Sequence, residues 1–430
     1  METIRSTTLQ YRCFVEETVN ETMRRMMEKL DSNGDGRVQM EDFKNHASAA
    51  LNRIRDHTPT PTEIGVALSH FTWAEMIWRY FLLQLTFLVA LFVIENIRDL
   101  VFSGPRRLLL DDSYLTNNPP EVGPEIALTY DTPWTLYERT KVVFFVVTGL
   151  LFLRIFCFFF CAVTSMYLIS LTGLNGRNRR DNPYWFAIWS NIACVFAHIG
   201  AAAAGIYHVK LFGRVADGSE CKILIGNHSC IMEVTILCII GNFPSFVTRK
   251  ENAEKVPCFA DVVRVMDAVT VDRGASESRK YTADAIRKRA KNRNPKAPQI
   301  MIFPEGTTAN QRALFMFRKG AMEPGEPIQM ICVSIPYKHF NPCWTGRACG
   351  GNNISDLLLR LCSQFVTHVE VRALPVYTPT DDERNDAALY AKRCQQMMAT
   401  VLQCCTSSCT YRDYERIQRK KDRVSAHSTE

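Results

Sequence analysis

With 430 residues, 47% of them hydrophobic, and a net charge of +7, the chain is long enough for two or three domains and a full enzyme core. The positive charge suits contact with anionic lipid or phosphate, but no basic stripe is interleaved with aromatics, so no nucleic-acid partner is expected. Sixteen cysteines form neither CxxC pairs nor zinc-site spacings, which points to buried free thiols in a reducing compartment rather than a disulfide framework.

Residues 1–60 read as helix, loop, helix. Val19, Met23, Met26, Met27 and Leu30 recur at helical spacing, and Phe43, Ala47, Ala50 and Leu51 begin a second helix. In the loop between them, Asp31, Asn33 and Asp35 take calcium-loop positions 1, 3 and 5, and Gly36 takes the sharp turn. The Arg37 carbonyl and the Asp42 carboxylate complete the set, which resembles an EF-hand with Asp in place of the usual final Glu. No apolar signal-peptide core is visible in this polar segment, and the chain ends in Ser-Thr-Glu rather than a retrieval tetrapeptide. The Thr58–Thr62 stretch is a linker signal.

Residues 61–183 form a membrane-anchoring region with two expected transmembrane helices. Ile77–Ile94 has about the length needed to cross a hydrocarbon core of ~30 Å. Val142–Leu174 exceeds one crossing and carries Arg154, which predicts a long tilted helix or a crossing followed by an interfacial helix. Two crossings put both soluble ends on one side. Arg177, Arg179 and Arg180 favour a cytosolic face there, whereas Arg98, Arg106 and Arg107 between the crossings oppose it. A third apolar stretch, Trp185–Tyr207, reads as a membrane-surface helix or as the first core helix of the next domain.

Residues 184–405 alternate short apolar strands with helices, the pattern of an α/β domain. The expected strands are 222–226, 245–248, 268–271, 299–303, 328–335 and 369–373, with helices over 275–291 and 386–401. A charged tail, 406–430, closes the chain. Within the α/β domain, four blocks stand in order: Asn227-His228-Ser229-Cys230-Ile231-Met232-Glu233; Arg249-Lys250-Glu251-Asn252 with Asp272-Arg273; Phe303-Pro304-Glu305-Gly306-Thr307; and Val333-Ser334-Ile335-Pro336. His228 and Glu233 meet if the His sits on the turn and the acid in the first helical turn, since helical side chains lean toward the N-terminus. Such a carboxylate fixes the imidazole tautomer and frees the other nitrogen as a base. Ser229 is placed to cap the helix. Arg249, Lys250 and Arg273 lie at strand ends, where α/β proteins put ligand sites.

These blocks resemble the four motifs of the glycerolipid acyltransferases, and most of all their lysophosphatidylcholine acyltransferase branch, over roughly residues 191–402. The resemblance implies an α/β acyltransferase domain attached to transmembrane helices and preceded by a small helical EF-hand module. It implies an acyl-CoA-dependent O-acyltransferase that esterifies the free hydroxyl of a lysophospholipid at the endoplasmic reticulum, with a cytosolic active site. His228 is then the base, Glu233 its support, and Arg273 with Arg249 or Lys250 the phosphate holder; Glu305, Gly306 and Thr307 line the acceptor site. Acyl-CoA is the co-substrate, calcium the ion of the EF-hand, and no catalytic metal is expected. The family carries Asp where Glu233 stands. The alternatives are a glycerol-3-phosphate acyltransferase, or a calcium-responsive membrane scaffold whose acyltransferase fold is inactive.

Overall fold

The computed structural model describes residues 108–416, except 130–131, 174–178, 231, 241–242, 257, 273–275, 295–296, 345–352 and 415, plus scattered helical positions between Ile77 and Ala90. The EF-hand loop, Arg273 and most of the first expected crossing therefore lie outside the described residues. The chain divides into two units, Met1–Pro105 and Arg106–Glu430. The second carries the elements that follow.

Helix α1 (Leu136–Val147) starts at Thr135, whose hydroxyl accepts the Glu138 N–H at 3.3 Å. Gly149, at φ +72°, separates it from α2 (Leu150–Leu171), so the long apolar run forms two helices instead of one. Asn182 caps α3 (Pro183–Ala203), with Pro at a position where a missing N–H costs nothing. Then come β1 (Val209–Phe212), β2 (Ile223–Gly226), α4 (Met232–Ile240), β3 (Ser245–Arg249), α5 (Lys250–Lys255), α6 (Phe259–Val265) and β4 (Val269–Val271). After them lie α7 (Ser276–Ala290), β5 (Ile300–Ile302), β6 (Ala313–Leu314), β7 (Ile328–Ser334) and α8 (Ile354–Cys362). The last are β8 (Val369–Ala373), α9 (Asp381–Asn385), α10 (Ala387–Val401) and β9 (Cys405–Thr406).

Seven strands make one sheet in the order β1-β8-β7-β2-β5-β3-β4. It is parallel except where β8 meets β7 antiparallel, so β8 and β1 run against the other five. Each strand of the parallel centre is buried on both faces, as the unbroken apolar runs Ile223-Leu224-Ile225 and Ile300-Met301-Ile302 require. Alternation along β7 sorts the two layers: Ile328, Met330 and Cys332 face Cys394 and Met398 of α10, whereas Ile331 and Val333 face Ile236 of α4 and Leu357 of α8.

Helices α2 and α3 are each long and apolar enough to cross a membrane. They pack as an antiparallel hairpin: Ser165 donates to the Ala193 carbonyl at 2.8 Å, Phe160 meets Phe196, and Gly200 lets the helices close on Cys161. The outer face is apolar and exposed, with Phe152, Phe156, Val163, Trp185, Ile188 and Val195 along it. Both ends of this hairpin are tied to the α/β layers. Near the start of α2, Arg154 is buried; it donates to the Cys362 carbonyl at 3.2 Å and also to the Gln364 carbonyl and the Tyr207 hydroxyl. Near its end, Leu168 and Ile169 pack with Val262, Val265 and Met266 around α6. A 22-residue helix spans roughly 33 Å, so the hairpin lies across the domain rather than projecting from it.

A second fastening holds α1. Arg360 of α8 is fully buried, with Nε 3.1 Å from Glu138, Nη1 donating to the Thr132 carbonyl at 2.7 Å, and Nη2 to that of His339 at 3.1 Å. Its guanidinium lies between the rings of Trp134 and Phe340, 4.9 and 4.5 Å from their centroids. Lys141, also buried, pairs with Glu138 and donates to Gln364 at 3.0 Å.

Candidate active site

The carboxyl ends of β2, β3, β5 and β7 converge, and the blocks singled out in the sequence gather at that edge. At the end of β2, Asn227 pairs its side-chain amide with the backbone of Val333, donating and accepting at 2.8 Å each way. This extends the sheet by one residue and fixes the turn on which His228 sits. Two residues into α4's reach, Glu233 is fully buried, and its Oε2 lies 3.2 Å from His228 Nδ1. Ser229 donates its N–H to the same oxygen at 2.6 Å and its hydroxyl to the other one. Ser229 thus serves Glu233 rather than standing as a free helix cap. The carboxylate keeps the proton on Nδ1 and leaves Nε2 available on a side chain that is 22% exposed. Cys230 is buried, with the Met232 N–H directed at its sulfur at 3.5 Å.

Phe303, at the end of β5, stacks on the imidazole with centroids 4.4 Å apart and planes 26° apart. Glu305, expected to line the acceptor site, borders a small cavity together with Asn227, His228 and Ser229. It is 1% exposed, and its two oxygens accept the His228 and Phe315 N–H groups, each at 3.1 Å. Ala309 N–H reaches the His228 carbonyl at 2.9 Å, so the main chain of the histidine is held from both sides. Glu305 braces the base from below.

Burial pushes the Glu305 carboxyl up to about 8, with the Glu233 charge adding to that and the two N–H donors opposing it. Because its folded value lies above the unfolded value of 4.5, the unfolded chain ionises first, and stability falls as pH rises from about 4.5 to 8. Glu305→Gln is therefore expected to flatten this slope by up to about 1.4 kcal/mol per pH unit, read as melting temperature against pH. Parallel curves for the two proteins would refute the assignment.

Gly306 adopts φ +67°, and an added Cβ would lie 2.8 Å from the guanidinium carbon of Arg318. Only glycine allows both that backbone and that approach. Thr307 follows, half-buried, on the same loop. Arg249 ends β3, exposed, and is a charged neighbour of Arg318. Lys250 turns away to Glu254 at 3.8 Å. Arg273 stands two residues past the end of β4, which pairs in parallel with β3 and matches Val271 to Arg249. Sequence reasoning passed over Arg318, Phe303 and Asn227 as site residues. All three lie in or beside the blocks, where a residue at a strand end or next to a Gly was the available signal.

Residues 215–334 match the family model described as Acyltransferase. That segment runs from just before β2 to the end of β7 and so holds the centre of the mostly parallel sheet. Among similar proteins, rat lysophosphatidylcholine acyltransferase 2 (Rattus norvegicus) is 36% identical over 208 residues, 48% of this chain and 37% of that protein. Human lysophosphatidylcholine acyltransferase 1 (Homo sapiens) is 35% identical over 212 residues, 49% of this chain and 38% of that protein. The lysophosphatidylcholine acyltransferase of Drosophila melanogaster is 34% identical over 217 residues, 50% of this chain and 40% of that protein. The chain thus spans well under half the length of these relatives. The crystal structure of the 1-acyl-sn-glycerophosphate acyltransferase PlsC from Thermotoga maritima aligns with a TM-score of 0.38 and 14% identity, covering 59% of this chain and 95% of that one.

Proposed function

We propose that this protein transfers a fatty acyl group from acyl-CoA to the free hydroxyl of a lysophospholipid. The carrying observation is the His228–Glu233 pair, 3.2 Å apart with the imidazole partly open, at the carboxyl edge of the sheet. The names of the relatives support the acceptor class. In the reaction, Nε2 of His228 takes the acceptor's hydroxyl proton while the oxygen attacks the thioester carbonyl. The imidazolium is stabilised by Glu233. The tetrahedral adduct then expels the CoA sulfur, which receives the proton from His228, giving the ester and free CoA. Holding both substrates together supplies much of the acceleration, and no acyl-enzyme is needed.

In this reading Arg249, Arg318 and Arg273 hold the acceptor phosphate, and Gly306 and Thr307 line its approach. Lys250, paired with Glu254, has a lesser part. The apolar outer face of the α2–α3 hairpin embeds in the membrane, which we assign to the endoplasmic reticulum; the free thiols of the described residues suit a cytosolic, reducing face for the site. The test is purified protein, labelled acyl-CoA and a panel of lysophospholipids beside glycerol 3-phosphate. A labelled diacyl product is expected. Acylation of glycerol 3-phosphate alone would replace this reading by the smaller acceptor, and no product with any member would leave the scaffold.

The Asp31–Asp42 loop is proposed to take calcium through Asp31, Asn33, Asp35, the Arg37 carbonyl and Asp42. Asp42 is one methylene short of the usual Glu, so binding is expected on the order of micromolar or weaker. Calorimetry on the whole chain beside Asp31→Ala checks this: calcium heat in the parent, none in the variant.

A further inference from the structure

We infer that Ser334 is a positioning residue for the base: together with Glu305 it binds one internal water beneath the turn that carries His228. The inference rests on the acyltransferase reading above for the part of His228.

Ser334 closes β7 inside the last of the four sequence blocks, Val333-Ser334-Ile335-Pro336. Its neighbours are clamped on both sides. Asn227 pairs with the backbone of Val333, and Gln311 does the same for Ile335. The Gln311 Oε1 accepts the Ile335 N–H at 2.7 Å, and its Nε2 donates to the Ile335 carbonyl at 3.2 Å. Gln311 holds φ +65°, a left-handed backbone that a residue other than glycine keeps only where surrounding contacts demand it. The strand end is thus fixed at the residue before Ser334 and at the residue after it. Yet the Ser334 hydroxyl, on a residue 1% exposed, has no hydrogen-bond partner among the described residues. Native proteins rarely leave a buried hydroxyl in that state, because it has lost its water and gained nothing.

The cavity bordered by Glu305 supplies the partner. Alternation along β7 puts the Ser334 side chain on the face of Met330 and Cys332, in the same apolar layer as Leu314 and Leu402. Those two leucines and Ser334 all line the cavity. Its volume is about 10 Å³, close to the room that the centre of one water takes, about 10–15 Å³. A water held there needs roughly two to four polar partners. The Ser334 hydroxyl is one and the Glu305 carboxyl another: each of its oxygens accepts a single N–H, from His228 or from Phe315, and has capacity for a second bond. Burial keeps Glu305 largely protonated at neutral pH, and the water accepts that O–H, to which the two N–H donors offer no acceptor. Asn227, Ser229 and Gln311 add polar atoms to the same wall. The water therefore ties the end of β7 to the carboxyl that holds the His228 N–H, and a shift of that carboxyl moves the imidazole against Glu233.

The test compares the full-length parent with Ser334→Ala, Ser334→Thr and Glu370→Gln. Glu370 is the register partner of Ser334 on β8 and also keeps a buried oxygen unbonded, but it is not part of the cavity wall, so it serves as the control. Melting temperature gives a readout without turnover. Ser334→Ala should melt lower by about 2–4 °C, because the water loses a partner, and Ser334→Thr should stay closer to the parent. A Ser334→Ala protein that melts at the same temperature or higher had no bond to lose, and the inference falls. Single-turnover transfer from labelled acyl-CoA to a lysophospholipid separates position from folding, since the amplitude counts active molecules and the rate constant reports the base. The rate constant is expected to drop roughly tenfold in Ser334→Ala, with the steady-state KM for both substrates unchanged. It should recover in Ser334→Thr and hold in Glu370→Gln. A loss confined to the amplitude makes Ser334 a folding residue only, and the same loss of rate in Glu370→Gln puts its partner across the strands; either result overturns the inference. If the parent transfers nothing, the acyltransferase reading fails, and a crystal structure still decides on the water. Density within hydrogen-bond distance of Ser334 Oγ and Glu305 upholds it, and a cavity without density refutes it.

Discussion

Replacing His228 by alanine is expected to lower acyl transfer by about 10²–10⁴-fold while the protein still folds and enters the membrane. The imidazole is partly exposed, and the main chain around it is held by Glu305 and Ala309 whatever the side chain. In the proposed mechanism, what disappears is the group that takes the hydroxyl proton. Glu233→Gln should come close to this loss, because the amide cannot balance an imidazolium. Glu233→Asp should retain most activity, since Ser229 can follow the shorter acid. Single-turnover rates with labelled acyl-CoA measure all three; more than about half of parental activity in His228→Ala would sink the mechanism.

Glu138→Ala should be the most destabilising of the changes considered, by about 3–5 kcal/mol. The carboxylate stands between Lys141 and Arg360 in full burial, and its removal leaves two cations without compensation. The Arg360 guanidinium is locked between two rings and two carbonyls and cannot swing out to water. Denaturant midpoints in detergent test this, with Arg360→Met as the second arm of a double-mutant cycle. The double variant should be more stable than Glu138→Ala alone, because an apolar side chain in that slot leaves one charge fewer to strand. A cost under about 1 kcal/mol for Glu138→Ala would show that water reaches the pair.

Most strands of the sheet were legible because parallel strands buried on both faces are written as short apolar runs. Ile223–Gly226, Ser245–Arg249 and Val369–Ala373 fall within a residue or two of expectation. Val209–Phe212 escaped because it is an edge strand carrying Lys210, and the two-residue strands β6 and β9 have no periodicity to read. The spacing of His228 and Glu233 allowed their contact, since both lie within one turn and the start of one helix, but that spacing alone is a weak signal and the other blocks gave it weight. Arg154 pointed to a charge inside a membrane segment, yet its partners Cys362, Gln364 and Tyr207 lie far along the chain. The Glu138–Arg360 pair is likewise tertiary. Local patterning carries no trace of them. The burial of Glu305 was not legible, because a motif names a residue without saying which way it faces.

The hairpin laid across the domain has a bearing on dose. On the proposed reading, a protein fixed to a leaflet along its length meets lipid acceptors by lateral diffusion, so the variable it senses is mole fraction in the plane and not molarity in the bulk. Diluting a lysophospholipid with inert lipid at constant total acceptor should then slow turnover, while enlarging the aqueous volume around the same vesicles should leave the acceptor term unchanged. Acyl-CoA, which partitions between water and bilayer, would answer to both. Two substrates of one reaction would obey different laws of mass action.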